Sequence, residues 1–221
     1  MVNINSYIQQ LISLLQDQFG SRLLYVGLQG SYLRGEAKDS SDIDIMVVID
    51  GLSVTDLAAY RSIIESMDHF DRSCGFICSK ADLANWNPLE INHLLNSTKD
   101  YFGVLAQLIP PYNEQDIRNF VKMSVNNLYH EICHRYIHSD AENNISSLPY
   151  TYKGVFFILQ NLYFLTSGHF ISTKAELLSL LNGRDHAVLK RSTELSSGVL
   201  CDFDQDFELL FTWCQETLKS L

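Results

Sequence analysis

The chain lacks any concentration of basic residues. Its 221 residues include 16 Lys and Arg against 26 Asp and Glu, which gives a formal net charge of −10. Proteins that capture DNA or RNA through phosphate contacts need a basic surface, so nucleic acid is disfavoured as a partner. An acidic protein of this kind is better suited to a cationic or neutral small molecule.

Long apolar runs are also absent. The longest, at residues 45–49 and 155–159, are far shorter than the roughly 20 residues that a membrane-spanning helix needs. No basic stretch precedes the apolar positions near the N-terminus, so this segment does not resemble a signal peptide. We therefore expect a cytoplasmic protein with no membrane partner.

Cysteine is present, but not in a pattern that binds zinc or forms a disulfide framework. The count is odd, and no two cysteines form a CxxC pair, which suits reduced thiols. The five are Cys74, Cys78, Cys133, Cys201 and Cys214. Hydrophobic residues make up 46% of the chain and charged residues 19%, so a packed core is expected without such cross-links.

Two regions of different character follow one another along the chain. The first alternates helical and strand periodicity, with strands predicted at residues 22–28, 42–49 and 75–78. The pair Pro110-Pro111 can continue neither a helix nor a central strand, and almost everything after it has helical periodicity, with a break predicted at residues 146–149. The predicted fold class is α+β: an α/β domain with a small mixed sheet at residues 1–108, then an all-helical bundle at residues 112–221.

The most informative segment is GSYLRGEAKDSSDID, residues 30–44. Gly30 and Ser31 follow a predicted strand and open a short helix, where backbone N–H groups and a small hydroxyl can approach phosphate oxygens closely. Asp42 and Asp44 alternate at the start of the next predicted strand and so point to one face. Carboxylates about 7 Å apart on one strand face can share a pair of hard cations. Either pattern alone is common, but together they predict a phosphate cradle joined to a metal site.

This arrangement resembles the signature of the nucleotidyltransferase superfamily related to DNA polymerase beta, in which Gly-Ser is followed about a dozen residues later by Asp-x-Asp. Within that superfamily, the chain is similar to the streptomycin and spectinomycin adenylyltransferases. The helical region adds to the likeness, because GVFFILQNLYFLTSGHFISTKAELL at residues 154–178 resembles their helix, Gly turn and lysine at the start of a new helix.

The resemblance implies transfer of a nucleoside monophosphate, AMP from ATP, to a hydroxyl of a small acceptor with release of pyrophosphate. The acidic charge favours a cationic, aminoglycoside-like acceptor, and antibiotic resistance is the family-level expectation. By position, Gly30 and Ser31 would bind the β- and γ-phosphates, and Asp42 and Asp44 would ligate a pair of Mg²⁺ ions. Lys174 matches a family lysine that contacts phosphate.

Two further cations are weaker candidates for phosphate contacts, namely Arg34 and Lys153. Arg34 has an alternative role, because Glu36 and Asp39 follow it closely and either carboxylate could pair with it.

One departure from the family pattern concerns the base. Relatives usually carry a third carboxylate on the following strand, where it ligates metal or accepts the proton of the acceptor hydroxyl. Here the strand has SCGFICS, with Cys74 or Phe76 at the expected position. Either another residue serves as the base, with Glu131 of the helical domain as the candidate, or the protein binds nucleotide in a regulatory role with little turnover.

A competing motif lies in the same helix as Glu131. Residues 130–134 have the sequence HEICH, which satisfies the H-E-x-x-H pattern of zinc proteases and would place His130 and His134 on one helix face. Chance produces such a match in about one per cent of chains of this composition. A metalloprotease would also leave residues 30–44 unexplained, so a polar helix face, extended by His138, is the favoured interpretation.

Overall fold

The computed structural model describes residues 2–221, which divide into two compact units. The first ends at Tyr112, and the second comprises Asn113–Leu221. The first contains a mixed sheet with helices and the second is helical, so the predicted fold class is confirmed. No helix within residues 2–221 is long and apolar enough to cross a membrane.

The first unit is built around a sheet of four strands in the order β3-β2-β1-β4. Its elements are α1 (Ile4–Phe19), β1 (Leu23–Leu28), α2 (Gly30–Arg34), β2 (Ile43–Ile49), α3 (Val54–Glu65), β3 (Ser73–Ser79), α4 (Lys80–Ala84), α5 (Pro88–Asn96) and β4 (Lys99–Phe102). β1 is antiparallel to both β2 and β4, and β2 is parallel to β3. β4 was not predicted, because only four residues form it and its first two are exposed.

The central strand β2 separates two apolar clusters. One face of the strand joins a cluster with α1 through four buried side chains: Ile43, Ile45, Val47 and Ile49. Met46 and Val48 belong to the other cluster. Asp44 lies two residues before Met46 and therefore shares the face of Met46 and Val48. Side chains of β2 alternate between the two faces of the sheet, so the strand buries apolar side chains on both. On one of these faces, the carboxylate of Asp44 lies near the N-terminal end of the strand.

The second unit is a helical bundle. Its helices are α6 (Glu114–His138), α7 (Ala141–Thr151), α8 (Val155–Ser167), α9 (Lys174–Leu180), α10 (Gly183–Ser196) and α11 (Phe203–Ser220). The sequence predicted a break at Pro149, and this was wrong because α7 continues through it. Asp140 caps the helix by accepting from the Asn143 N–H at 2.8 Å, and Pro149 lies in the last turn, where the loss of one backbone hydrogen bond costs little.

Buried polar contacts hold the core of the bundle together. The Trp213 indole N–H donates to Asp185 at 2.7 Å, and the Tyr152 hydroxyl donates to the Asp206 carbonyl at 2.7 Å. The Arg191 guanidinium donates to the Asp206 carboxylate, with Nη2 at 2.9 Å from Oδ2. Since each of these groups would be costly to bury without a partner, the contacts favour one arrangement of the helices.

Candidate active site

Gly30 brings the turn after β1 against the carboxylate of Asp44. Its φ of +67° lies in the left-handed region, which glycine adopts without strain. A Cβ at this position would overlap Asp44 Oδ2 and lie 2.7 Å from Asp44 Cγ. The Gln29 N–H also donates to the Asp44 carbonyl at 2.9 Å. Backbone conformation and available space therefore both require glycine at residue 30, and the glycine allows the turn to lie directly against the carboxylate.

Asp42 and Asp44 lie on one side of the start of β2. The strand begins at Ile43, so the predicted strand starting at Asp42 was one residue too long. Ile43 and Ile45 are buried on the opposite face, while Asp42 is exposed and Asp44 is half-buried. Burial raises the pKa of Asp44, and the charge of Asp42 raises it further, while a hydrogen bond from Cys74 opposes the rise. These carboxylates form an oxygen-rich pair of the kind that holds hard cations.

Cys74 occupies the position on β3 directly beside Asp44. The parallel register pairs Asp44 with Cys74 and Met46 with Phe76, so the alternative between Cys74 and Phe76 is resolved in favour of Cys74. Phe76 instead packs edge-on against Trp86, with ring centroids 5.0 Å apart. The Cys74 thiol donates to the Asp44 carboxylate, and burial together with the charge of Asp44 raises the thiol pKa. The group beside Asp44 is therefore a protonated thiol at neutral pH.

Arg34 contributes positive charge to the same part of the first unit. Its Nε lies 2.9 Å from Glu36 Oε2, which is one of the two pairings that the sequence left open. The charge of Arg34 also lowers the pKa of Asp44. Burial lowers the pKa of His93 to about 4, and Arg34 adds to that effect. Gly30, Asp42, Asp44 and Arg34 thus lie near one another, while their roles toward phosphate and metal stay predictions.

Arg72 is a site residue that the sequence did not reveal. It precedes β3, and its Nε and Nη2 donate to the Ser41 carbonyl at 3.0 and 2.8 Å. Nη2 also donates to the Tyr32 hydroxyl at 2.5 Å. One guanidinium therefore joins α2 to the residue immediately before Asp42. These partners are 40 and 31 residues away along the chain, so no local pattern could have indicated the contact.

The remaining predicted site residues belong to the second unit. Glu131 Oε1 accepts from Arg135 Nε at 3.0 Å and from the Thr151 hydroxyl at 3.2 Å. The Lys153 ammonium lies over the Tyr150 ring. Their roles toward nucleotide and acceptor stay predictions.

Lys174 is the first residue of α9, and its ammonium lies 5.6 Å from the centre of the Phe156 ring. Its predicted contact with phosphate is not tested by this position.

The histidines of the H-E-x-x-H motif lie along an exposed face of α6. The ring centroids of His130 and His134 are 6.1 Å apart, and those of His134 and His138 are 4.7 Å apart. Nowhere in residues 2–221 do three His, Cys, Asp or Glu side chains form a group placed to hold a metal ion. Glu131 is paired with Arg135 instead. The motif therefore gains no support as a zinc site.

Comparison with known proteins gives a family match for the first unit and a structural match for the chain. Residues 8–101 match the nucleotidyltransferase domain family. The crystal structure of spectinomycin adenyltransferase AAD(9) from Enterococcus faecialis with ATP and spectinomycin aligns with a TM-score of 0.60 at 13% identity, over 98% of this chain and 100% of that one. No curated protein sequence matches. The structural match, at this identity, shows a shared fold, and the domain match over residues 8–101 supports nucleotidyl transfer in general.

Proposed function

We propose that this protein is a Mg²⁺-dependent nucleotidyltransferase that moves AMP from ATP to a hydroxyl of a small acceptor and releases pyrophosphate. The observation that carries the proposal is the contact between the Gly30 turn and Asp44, where a Cβ would overlap the carboxylate. A side-chain-free turn beside a pair of carboxylates suits a polyphosphate with bound cations. The nucleotidyltransferase domain match over residues 8–101 supports the same class of reaction.

In this proposal each site residue of the first unit has a defined role. The backbone of Gly30 and the hydroxyl of Ser31 bind the β- and γ-phosphates, and Arg34 adds a positive charge near them. Asp42 and Asp44 supply hard oxygen ligands that fit Mg²⁺. Bound Mg²⁺ would stabilise the charge of the pyrophosphate leaving group and lower the pKa of the attacking hydroxyl.

Three residues of the second unit complete the proposal. Lys153 and Lys174 contact phosphate, and Glu131 accepts the proton of the acceptor hydroxyl.

A second candidate function is nucleotide binding with little turnover. The observation that favours it is the position of Cys74, which pairs with Asp44 in the register of β2 and β3. A thiol with a raised pKa is a poor proton acceptor at neutral pH and a poor ligand for Mg²⁺. Binding of nucleotide through Gly30, Asp42 and Asp44 would survive this replacement, whereas removal of the acceptor proton would slow.

Calorimetry and a pyrophosphate assay distinguish the two functions. We expect ATP to bind only when Mg²⁺ is present, and pyrophosphate to appear when a hydroxyl-bearing acceptor is added from a panel that includes aminoglycosides, spectinomycin and uncharged alcohols. Mg²⁺-dependent ATP binding without pyrophosphate from any acceptor would favour the binding protein. Absence of ATP binding would contradict both functions.

Replacing Arg72 is expected to weaken the metal site without unfolding the protein. In Arg72→Ala the Ser41 carbonyl and the Tyr32 hydroxyl lose their common donor, so the segment before Asp42 becomes less restrained. Because residues that position metal ligands typically contribute a factor of 10 to 100 in metal affinity, we expect Mg²⁺-dependent ATP binding to weaken by ~10-fold. Arg72→Lys should recover part of the loss, since one ammonium can still donate to Ser41.

The matched control for Arg72 is Arg61→Ala on α3, because Arg61 is exposed and pairs with Glu65 in its own helix. Calorimetric titration of ATP at several Mg²⁺ concentrations measures the effect. Equal affinities in Arg72→Ala and Arg61→Ala would show that Arg72 does not position the site.

A further inference from the structure

Three helices of the second unit, α6, α7 and α8, line an open cavity of about 640 Å³. Sites for small organic ligands usually measure roughly 300 to 1,000 Å³ and often lie between the helices of bundles. The cavity is wholly lined by residues of the second unit. Its size therefore suits a molecule of two or three rings.

Aromatic rings from all three helices form the walls of this cavity. Phe120 belongs to α6, Tyr150 to α7 and Phe157 to α8, and Leu128 and Ile158 add aliphatic surface. Tyr150 is 70% exposed and Phe157 is 39% exposed. Exposed apolar surface in a concave site is covered favourably by an apolar ligand. The walls thus favour a ligand with a flat ring system.

The polar part of the cavity centres on a fixed carboxylate. Arg135 Nε and the Thr151 hydroxyl both donate to Glu131 Oε1, and within residues 2–221 no side chain donates to Oε2. Oε2 can therefore accept a hydrogen bond from a ligand. The Arg135 guanidinium balances the charge of Glu131, and the Lys153 ammonium lies 4.6 Å from the centre of the Tyr150 ring. The surroundings are not acidic enough to favour a polycation such as an aminoglycoside.

We propose that the cavity between α6, α7 and α8 binds an uncharged alcohol that carries a fused apolar ring system, with the ligand hydroxyl donating to Glu131. If nucleotidyl transfer is the function, which is a separate proposal, this alcohol is the chemical class of the acceptor. The proposed class departs from the cationic acceptor that the net charge of the chain suggested, because the local charges differ from the average over the surface.

Three probes with one ring system and different charges test the proposal: 2-(naphthalen-1-yl)ethanol, 2-(naphthalen-1-yl)ethylamine and naphthalene-1-acetate. Ligand-observed NMR titration of the full chain without nucleotide measures their dissociation constants. We expect the alcohol to bind with a dissociation constant on the order of 1 mM, as its size allows. It should bind about threefold or more tightly than the amine and the acetate, since exposed charges contribute modestly. Tightest binding by either charged probe would overturn the proposal.

Substitutions in the cavity wall locate the binding site. Gly154 lines the cavity, its backbone is helical and a Cβ there meets nothing within 4 Å. Gly154→Leu should therefore fill the space and weaken binding of the alcohol by ~10-fold or more while the protein stays folded. Phe157→Ala should weaken all three probes, and Glu142→Gln, on an exposed face of α7, should change none.

The outcomes separate this proposal from that of nucleotidyl transfer. Unchanged binding of the alcohol to Gly154→Leu would overturn the proposed cavity site. Because the titrations contain neither ATP nor Mg²⁺, their result does not depend on whether pyrophosphate is ever released. Conversely, binding as expected with no transfer in the pyrophosphate assay would leave the cavity site intact and contradict only the transferase.

Discussion

Asp44→Asn is expected to lower the rate of pyrophosphate release by ~10³-fold while leaving the protein folded. The substitution keeps the shape of the side chain beside Gly30 but removes the charge that is proposed to hold a cation. Burial raises the pKa of Asp44 in the folded protein, so its ionised form is disfavoured there. Such a group stabilises the fold at acidic pH, and that contribution is lost as the pH rises through the folded-state pKa. At neutral pH, Asp44→Asn should therefore unfold at the same temperature as the unmodified chain or higher.

Steady-state pyrophosphate assays and thermal unfolding at pH 7 measure this pair of effects. Asp42→Asn should cause a comparable loss of rate, and Asp50→Asn, at the exposed far end of β2, is the matched control. A rate within about threefold of the unmodified chain in Asp44→Asn would contradict the assigned role, since loss of a charge-stabilising group typically costs far more. A large drop in unfolding temperature would mean that the carboxylate is mainly structural.

Cys74→Glu is the substitution with the largest expected gain. The register of β2 and β3 places residue 74 beside Asp44 on the same face of the sheet, so a glutamate there adds a carboxylate to the existing pair. A positioned general base contributes about 10²- to 10⁴-fold to a rate. If the transfer is slow because it lacks this base, kcat should rise by ~10²-fold. The cost is repulsion between like charges, which should lower stability in the absence of Mg²⁺.

Cys74→Gln is the control for this gain, because it introduces a side chain of the same size without the charge. The measurement is kcat for pyrophosphate release with saturating ATP and Mg²⁺. A rate for Cys74→Glu no higher than that for Cys74→Gln would show that the base lies elsewhere. Glu131 would then become the residue to replace, and Glu131→Gln should abolish the remaining transfer.

The parts of the site that could be predicted are those within a short stretch of chain. Gly30 and Asp44 are 14 residues apart, and the turn and alternation that bring them together are visible in the residue types. The pairing of Asp44 with Cys74 depends on how β2 and β3 align. The sequence SCGFICS does not reveal this register, so either Cys74 or Phe76 could have been the residue beside Asp44. Arg72 was not found because its partners are distant in sequence. One of them is a backbone carbonyl, which every residue has, so the residue type at that position gives no signal.

In the fold, too, the features visible in a short stretch of chain were predicted, and those that depend on distant contacts were not. β1 and β2 have buried apolar side chains at nearly every position and were predicted. β4 has four residues, half of them exposed, and it forms because β1 offers an open edge. Proline at position 149 predicted a break, yet near the end of a helix it removes a hydrogen bond that the bundle can do without. Tertiary packing therefore determined both the formation of β4 and the continuation of α7 through Pro149.

The contact between Gly30 and Asp44 also makes the two positions interdependent in evolution. While residue 44 is aspartate, any side chain at residue 30 would overlap its carboxylate, so a change at residue 30 is tolerated only after residue 44 has become smaller. Loss of the carboxylate would relax selection on the glycine, although the positive φ still favours Gly or Asn. Among homologues of this chain, substitutions at residue 30 should therefore occur in lineages that have already lost the acid, and they would identify descendants that lack the proposed cation site.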